Sequence, residues 1–305
     1  MGYAKYAHSA RRSTPLGTLA KRRGSQTVHQ RPGAQSVRKA LATIGTRAMS
    51  PVLDQSLCTF RRFGERHNYD VIVGREESIE DRAPAWNKVA LLRRLLDYYD
   101  YVLWIDADAI ILDDSVDPVS LFEEHHYQAL VRYNWNGEQA ACTGVWLLKG
   151  VDRARAFLDA VWDGGDGYLQ IHPWEQAAAG KLLGYEVHPD RFVGPTEWSE
   201  GTLWLETEWD VIPFFTPKRR LAPCRIRHYA RESNAVRRRQ MRTDRHMLDA
   251  TNAQNAAART WHHFAGWAGL MRWNFGYRHK PAAYELARRV GIVKVVRQLR
   301  SRQSK

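Results

Sequence analysis

The chain has 305 residues, 44% of them hydrophobic, enough for one large domain with extensions. No apolar run approaches the roughly 20 residues of a membrane-spanning helix, which predicts a soluble protein, and the cysteine usage points to the cytoplasm. Three cysteines, Cys58, Cys142 and Cys224, lie far apart with no Cys-x-x-Cys, which argues against a disulfide framework or a zinc ribbon and for a reducing compartment.

The net charge of +13 is unevenly spread. Residues 1–47 hold 10 Lys/Arg and no acids, and residues 218–305 hold 22 against 4, so the centre carries 14 bases against 29 acids. Basic ends on an acidic centre fit an enzyme with surface-seeking tails better than a nucleic-acid reader, and no specific nucleic-acid partner is expected.

Residues 1–35 mix Arg, Ser, Gly and Pro without periodicity and predict a disordered basic arm, whose acid-free composition is also that of a transit peptide. Val37 to Ile44 reads as a first strand. Ser50 then caps a helix of Val52 to His67, with Pro51 at its first position. Asp70 to Val73 is a short strand, and Pro84 to Leu96 a second helix with Val89, Leu92 and Leu96 on one stripe. Strand, helix, strand, helix, strand predicts parallel pairing with right-handed crossovers.

That second helix delivers the chain to Tyr101–Leu112, an apolar run interrupted by Asp106 and Asp108. Read as one buried strand, it places both aspartates on one face, because extended side chains alternate. Two carboxylates side by side are half a cage for a hard cation such as Mg²⁺, Mn²⁺ or Ca²⁺, with substrate phosphates completing the shell. Open α/β sheets bind their ligands at the carboxyl ends of strands, which is where this pair falls.

Further on, the pattern predicts a helix near Val119 to His125 and strands at Ala129 to Tyr133 and Gly144 to Leu148. Helices follow at residues 153–162 and from Pro173 to Leu183, the latter closed by Gly184. Tyr185 to Phe215 is strand-like and aromatic, and Cys224 to Tyr229 is a last short strand. From Ser233 onward the chain reads as basic helices. The segment Tyr284 to Leu299 sets Arg288, Arg289, Lys294 and Arg297 beside valines and an isoleucine, which predicts weak attachment to the inner face of an anionic membrane.

Taken together, Trp86-Asn87-Lys88, the aspartate segment, Cys142-Thr143-Gly144-Val145-Trp146, Trp174-Glu175-Gln176 and His228-Tyr229-Ala230 resemble a GT-A glycosyltransferase. The family most similar to it is that of galactomannan galactosyltransferases, xyloglucan xylosyltransferases and fungal-type α-mannosyltransferases. The resemblance implies an α/β, Rossmann-like nucleotide-diphospho-sugar transferase fold. It would have a mostly parallel central sheet in a catalytic domain of residues 36–232, followed by a basic helical extension of residues 233–305. It also implies a UDP- or GDP-sugar donor, Mn²⁺ or Mg²⁺, transfer with retention of configuration, and a glycan or lipid-linked acceptor.

By the same resemblance Asp106 lies near the ribose or the metal, Asp108 on the metal, and His228 is a third metal ligand, with His263 as its competitor. Lys88 and Arg231 are candidates for the diphosphate, Thr143 and Gly144 for the donor sugar. Glu175 and Gln176, at the first turn of a helix, would face the sugar carbon. Trp135, Trp174 and Trp198 could stack on sugars. The Cys142-Thr143 pair replaces an Asn-rich segment usual in the family, which leaves the donor sugar open. Competing readings are a sugar nucleotidyltransferase, disfavoured because no Gly-rich phosphate loop follows the first strand, and a non-enzymatic binder of nucleic acid or anionic surfaces through the tails.

Overall fold

The computed structural model describes residues 36–74, 82–135, 138–169, 173–186, 191–213, 224–254 and 256–277. The basic arm and the Tyr284 to Leu299 segment lie outside them. A six-stranded sheet runs in the order β2, β1, β3, β6, β5, β9, formed by Lys39–Ile44 (β1), Tyr69–Gly74 (β2), Tyr101–Ile105 (β3), Gln128–Trp135 (β5), Glu138–Lys149 (β6) and Thr202–Leu205 (β9). Only β6 runs against its neighbours: β1 pairs in parallel with β2 and β3, and β5 in parallel with β9.

Both faces of the sheet are covered, which is why its strands read as nearly continuous apolar runs. The two-residue period sorts them. Ala40, Ala42, Val102, Trp104, Trp146 and Leu148 pack under the helices Asn87–Leu95 (α2) and Asp152–Asp163 (α3), against Leu92, Phe157 and Leu158. Their neighbours Leu41, Leu103, Ile105, Val145 and Leu147 face Leu53, Leu57, Phe60 and Phe63 of Ser50–His67 (α1).

From β1 the chain goes through α1 to β2 on one side, then through α2 to β3 on the other. Right-handed crossovers in opposite directions require helices on opposite faces, as found here. The switch between β1 and β3 opens a crevice at the carboxyl ends of both strands, and Asp106 is the first residue beyond β3.

Several expected elements are corrected. The run Tyr101–Leu112 is two strands: β3 stops at Ile105, and Ala109–Ile111 (β4) belongs to a separate two-stranded sheet with Ile226–His228 (β10). Asp106 to Asp108 form a turn between them, closed by the Ala109 N–H on the Asp106 carbonyl at 3.0 Å. Ser50 does not cap α1; Met49 does, without a side-chain bond, because a 3₁₀ turn over Arg47–Met49 already feeds the helix and satisfies the Ser50 N–H on Thr46. The helix expected over residues 119–125 shrinks to a 3₁₀ turn at Pro118–Leu121. Glu175–Leu182 (α4) starts two residues after Pro173, since Trp174 takes a positive φ of 51°. Among its described residues the aromatic stretch yields the strands Tyr185–Glu186 (β7), Arg191–Phe192 (β8) and β9.

Beyond β10, Ser233 caps Asn234–Asn252 (α5) by accepting the Val236 N–H, and Ala256–Tyr277 (α6) follows. Helix α5 packs against α1 and the β4–β10 pair: Met241 joins Val52, Ile110 and Tyr229 in one buried cluster. The buried guanidinium of Arg227 pairs with Asp244 at 3.0 Å. No helix among the described residues is long and apolar enough to cross a membrane.

Candidate metal centre and donor site

The aspartate turn is fixed on three sides by backbone and hydroxyl bonds. Asp106 donates its N–H to Gly144 at 2.9 Å, prolonging the β3–β6 ladder by one rung. The Ala107 carbonyl accepts the buried Ser56 hydroxyl of α1 at 2.7 Å. Asp108 takes the Tyr229 N–H at 2.9 Å, so the β4–β10 pairing, with His228 opposite Ala109, carries the imidazole to both carboxylates.

There, His228 Nε2 stands 3.3 Å from Asp108 Oδ1 and 3.6 Å from Asp106 Oδ2. One ligand atom from each of the three residues lies within 4.8 Å of the other two. His263 takes no part; it is exposed on α6. Two carboxylates and one imidazole form a donor set that suits Mn²⁺ and tolerates Mg²⁺. The aspartates converge because the backbone turns, where the sequence suggested alternation along a strand.

Two residues the sequence reading did not single out complete the group. Asp210, buried after a 3₁₀ turn at Thr207–Trp209, sits 3.0 Å from His228 Nδ1. A carboxylate on the far nitrogen holds that nitrogen as the donor and leaves Nε2 facing the aspartates, the usual support of a metal-bound histidine. Arg237, reaching back from α5, places Nε 3.0 Å from Asp108 Oδ2. Neither carries a local signal: Asp210 lies in an aromatic stretch and Arg237 in an arginine run on a helix.

Gly144 explains part of the fit. A Cβ on it would come within 2.6 Å of the His228 ring and 3.1 Å of Asp210, so only glycine lets β6 pass this close.

Beside this centre a second buried group forms around Lys88 of α2, 4% exposed. Its ammonium lies 3.1 Å from Asp106 Oδ1 and 2.9 Å from Glu175 Oε1, and donates to the Thr143 carbonyl at 3.1 Å and hydroxyl at 3.3 Å. The Thr143 N–H reaches Gln176 at 3.3 Å. Thus Lys88, Asp106, Thr143, Gly144, Glu175 and Gln176 are brought together as one wall. Arg231 sits instead in an exposed left-handed turn, φ 68°. Trp174 and Trp198 are half-buried against the core, Trp198 tilted on Phe157 at 5.5 Å between centroids.

The charges balance locally. Burial would raise the pKa of Asp108, but His228 and Arg237 outweigh it and hold the carboxyl far below its usual range. Burial would lower that of His228, and the carboxylates of Asp210 and Asp108 raise it well above normal. Lys88 is likewise pushed up, desolvation being overcome by Asp106 and Glu175. Glu175 goes the other way: burial raises its pKa and Lys88 offsets this only in part. The Cys142 thiol, buried beside Asp210, is driven well above its normal pKa by desolvation and then by that carboxylate, so it is no nucleophile.

No protein-family model and no curated protein sequence matches the chain. Among solved structures, a glycosyltransferase involved in the glycosylation of the major capsid of PBCV-1 superposes with a TM-score of 0.52 at 12% identity, covering 66% of this chain and 98% of that one. The glycosyltransferase GlyE of Streptococcus pneumoniae TIGR4 gives 0.45 at 13% identity, covering 79% of this chain and 64% of its own. Mouse xyloside xylosyltransferase 1 gives 0.39 at 11%, covering 64% and 98%. The first likeness carries the fold assignment: a mixed α/β structure with a mostly parallel central sheet, of the GT-A type.

Proposed function

We propose that this protein is a metal-dependent glycosyltransferase that moves a hexose or pentose from a nucleoside diphosphate sugar to a glycan or lipid-linked acceptor, with retention of configuration. The observation that carries this reading is the convergence of Asp106, Asp108 and His228 at the carboxyl ends of a GT-A sheet. Support for glycosyl transfer comes from the PBCV-1 enzyme that shares the fold. The retaining outcome and a UDP- or GDP-linked donor come from the resemblance of the motifs to galactomannan galactosyltransferases and their relatives.

In this reading Asp106, Asp108 and His228 hold the Mn²⁺ or Mg²⁺ ion, which when bound supplies positive charge where the departing diphosphate becomes more negative. The remaining work falls to the protein. Asp210 keeps the imidazole in the tautomer that offers Nε2. Lys88, saturated by carboxylates and Thr143, acts as a positioning residue that aligns Asp106 with Glu175. Glu175 Oε2 is buried and has no hydrogen-bond partner, so this oxygen is left to meet the sugar or the acceptor hydroxyl. Gln176 and the Thr143–Gly144 backbone form the adjoining donor wall. Catalysis rests on residues 36–232. The helical extension contributes Arg237, and its basic end meets the acceptor at an anionic membrane.

Purified protein with Mn²⁺ should hydrolyse at least one member of a panel of UDP- and GDP-sugars, and EDTA should abolish that turnover. Hydrolysis indifferent to EDTA would overturn the metal role. Silence across the panel, with acceptor glycans included, would overturn the transferase reading.

A further inference from the structure

A second group of ligating side chains stands apart from the aspartate turn, in the hairpin of α5 and α6. The helices run antiparallel, with His262 beside His246, Gly266 beside Met247 and Gly269 beside Thr243. His262, Gly266 and Gly269 share one stripe of α6 because they are spaced by a full turn or two. A Cβ at Gly266 would come within 2.3 Å of Met247 Sδ, and one at Gly269 within 2.3 Å of Thr243 Oγ1. The missing side chains let the helix backbones approach closely and press the two histidines together.

His246 Nδ1 and His262 Nδ1 are 3.0 Å apart, with ring centroids at 5.2 Å and planes tilted by 31°. Asp249, one turn along α5 from His246, brings a carboxylate oxygen into the same group, all three ligand atoms within 4.8 Å. Metal bonds of about 2.0–2.1 Å to imidazole and carboxylate set tetrahedral ligand atoms about 3.3 Å apart, close to the spacing of the two nitrogens.

We propose that His246, Asp249 and His262 bind a borderline divalent ion of the zinc class and that this ion pins α6 onto α5. Two imidazoles with one carboxylate disfavour Mg²⁺ and Ca²⁺, which take oxygen ligands, and suit Zn²⁺, Ni²⁺ or Cu²⁺. All three residues are half-buried, which leaves room for water as the fourth ligand. Arg242 and Arg245 stand near His246 and repel a cation. Coordination bonds, rather than diffuse negative charge, must therefore hold the ion, as nitrogen ligands do. This site is independent of glycosyl transfer and stands or falls without it.

The test uses the full chain and Zn²⁺ alone, reading affinity by calorimetry and amide exchange along α6 by mass spectrometry. Zn²⁺ should slow exchange over residues 256–269 in the wild type. His262→Gln should weaken binding at this site by about tenfold or more and abolish the slowing, while His228→Asn should leave the slowing intact. Zn²⁺ without effect on α6 exchange in the wild type, or an equal effect in His262→Gln, overturns the proposal. Should His262→Gln lose α6 helicity without metal, Asp249→Asn decides: weaker Zn²⁺ protection of α6 is expected, and unchanged protection overturns it.

Discussion

The aspartate turn and the helix hairpin both offer histidine and aspartate to a cation, yet they are built on opposite plans. The centre gathers residues from the β3–β4 turn, from β10 and from the segment before β10, far apart in sequence, and each charge already has an opposite partner: Lys88 on Asp106, Arg237 on Asp108, His228 between Asp108 and Asp210. The hairpin group sits on neighbouring helices, with its two imidazoles turned toward one another. A centre whose shape is held by its own ion pairs keeps that shape with or without a bound cation. A group held only by helix packing would gain order from a cation, as proposed for the hairpin. The shared element is α5, which supplies Arg237 to the first and His246 and Asp249 to the second.

The largest expected effect cuts that shared element. Asp244 of α5 is 4% exposed and pairs with the buried Arg227, and its other oxygen accepts the Tyr229 hydroxyl at 2.5 Å. Asp244→Ala removes the carboxylate that faces a buried guanidinium, a loss of about 3–5 kcal/mol. Chemical denaturation should show it, and both metal groups should weaken together. If only the hairpin suffers, α5 is not the common support.

Asp108→Asn separates the two by chemistry. With the fold kept by circular dichroism, Mn²⁺-dependent donor turnover should fall about 100-fold or more, while Zn²⁺ protection of α6 is unchanged. Turnover within a factor of two of wild type would remove Asp108 from the metal role.

How much of this contrast could be read in advance follows from the range of the forces involved. The apolar character of Val102 to Ile105 is local and was legible, whereas the cap expected at Ser50 was not realised because a preceding 3₁₀ turn feeds the helix. The presence of Asp106, Asp108 and His228 was legible through motif order. The break after Ile105 was not, because no Gly or Pro marks it. It is imposed by Ser56 of α1 binding Ala107 and by β10 claiming Ala109–Ile111, contacts made only in the folded chain. Asp210 and Arg237 escaped for the same reason. The pairing of His246 with His262 needs the register of two helices, which Gly266 and Gly269 fix through packing that no single-helix pattern discloses.

Asp210→Asn sharpens the comparison more gently. An amide can accept or donate at His228 Nδ1, so the tautomer that offers Nε2 is no longer enforced. Mn²⁺ affinity should fall about 10–100-fold, as for other outer partners of metal-bound histidines, with a smaller loss of thermal stability than for Asp244→Ala because the amide still bonds Nδ1. Titration calorimetry checks it, and an unchanged affinity would mean that His228 is oriented by β10 alone.

The smallest effect is expected at Ser56, where the aspartate turn meets α1. Its buried hydroxyl donates to the Ala107 carbonyl at 2.7 Å, and nearby Thr59 accepts the Ile111 N–H at 3.2 Å, so helix hydroxyls pin the chain on both sides of Asp108. Ser56→Ala removes one of these and leaves a carbonyl facing an apolar wall, a cost of about 1 kcal/mol. Because Asp106 stays on Gly144 and Asp108 on Tyr229, the turn should keep its course and loosen only at Ala107. Mn²⁺ affinity should drop a few-fold at most, with amide exchange rising at residues 107–109 and not in α6. A larger loss of metal than of stability would show that the hydroxyl, and not the β3–β6 ladder, sets the direction of the aspartates.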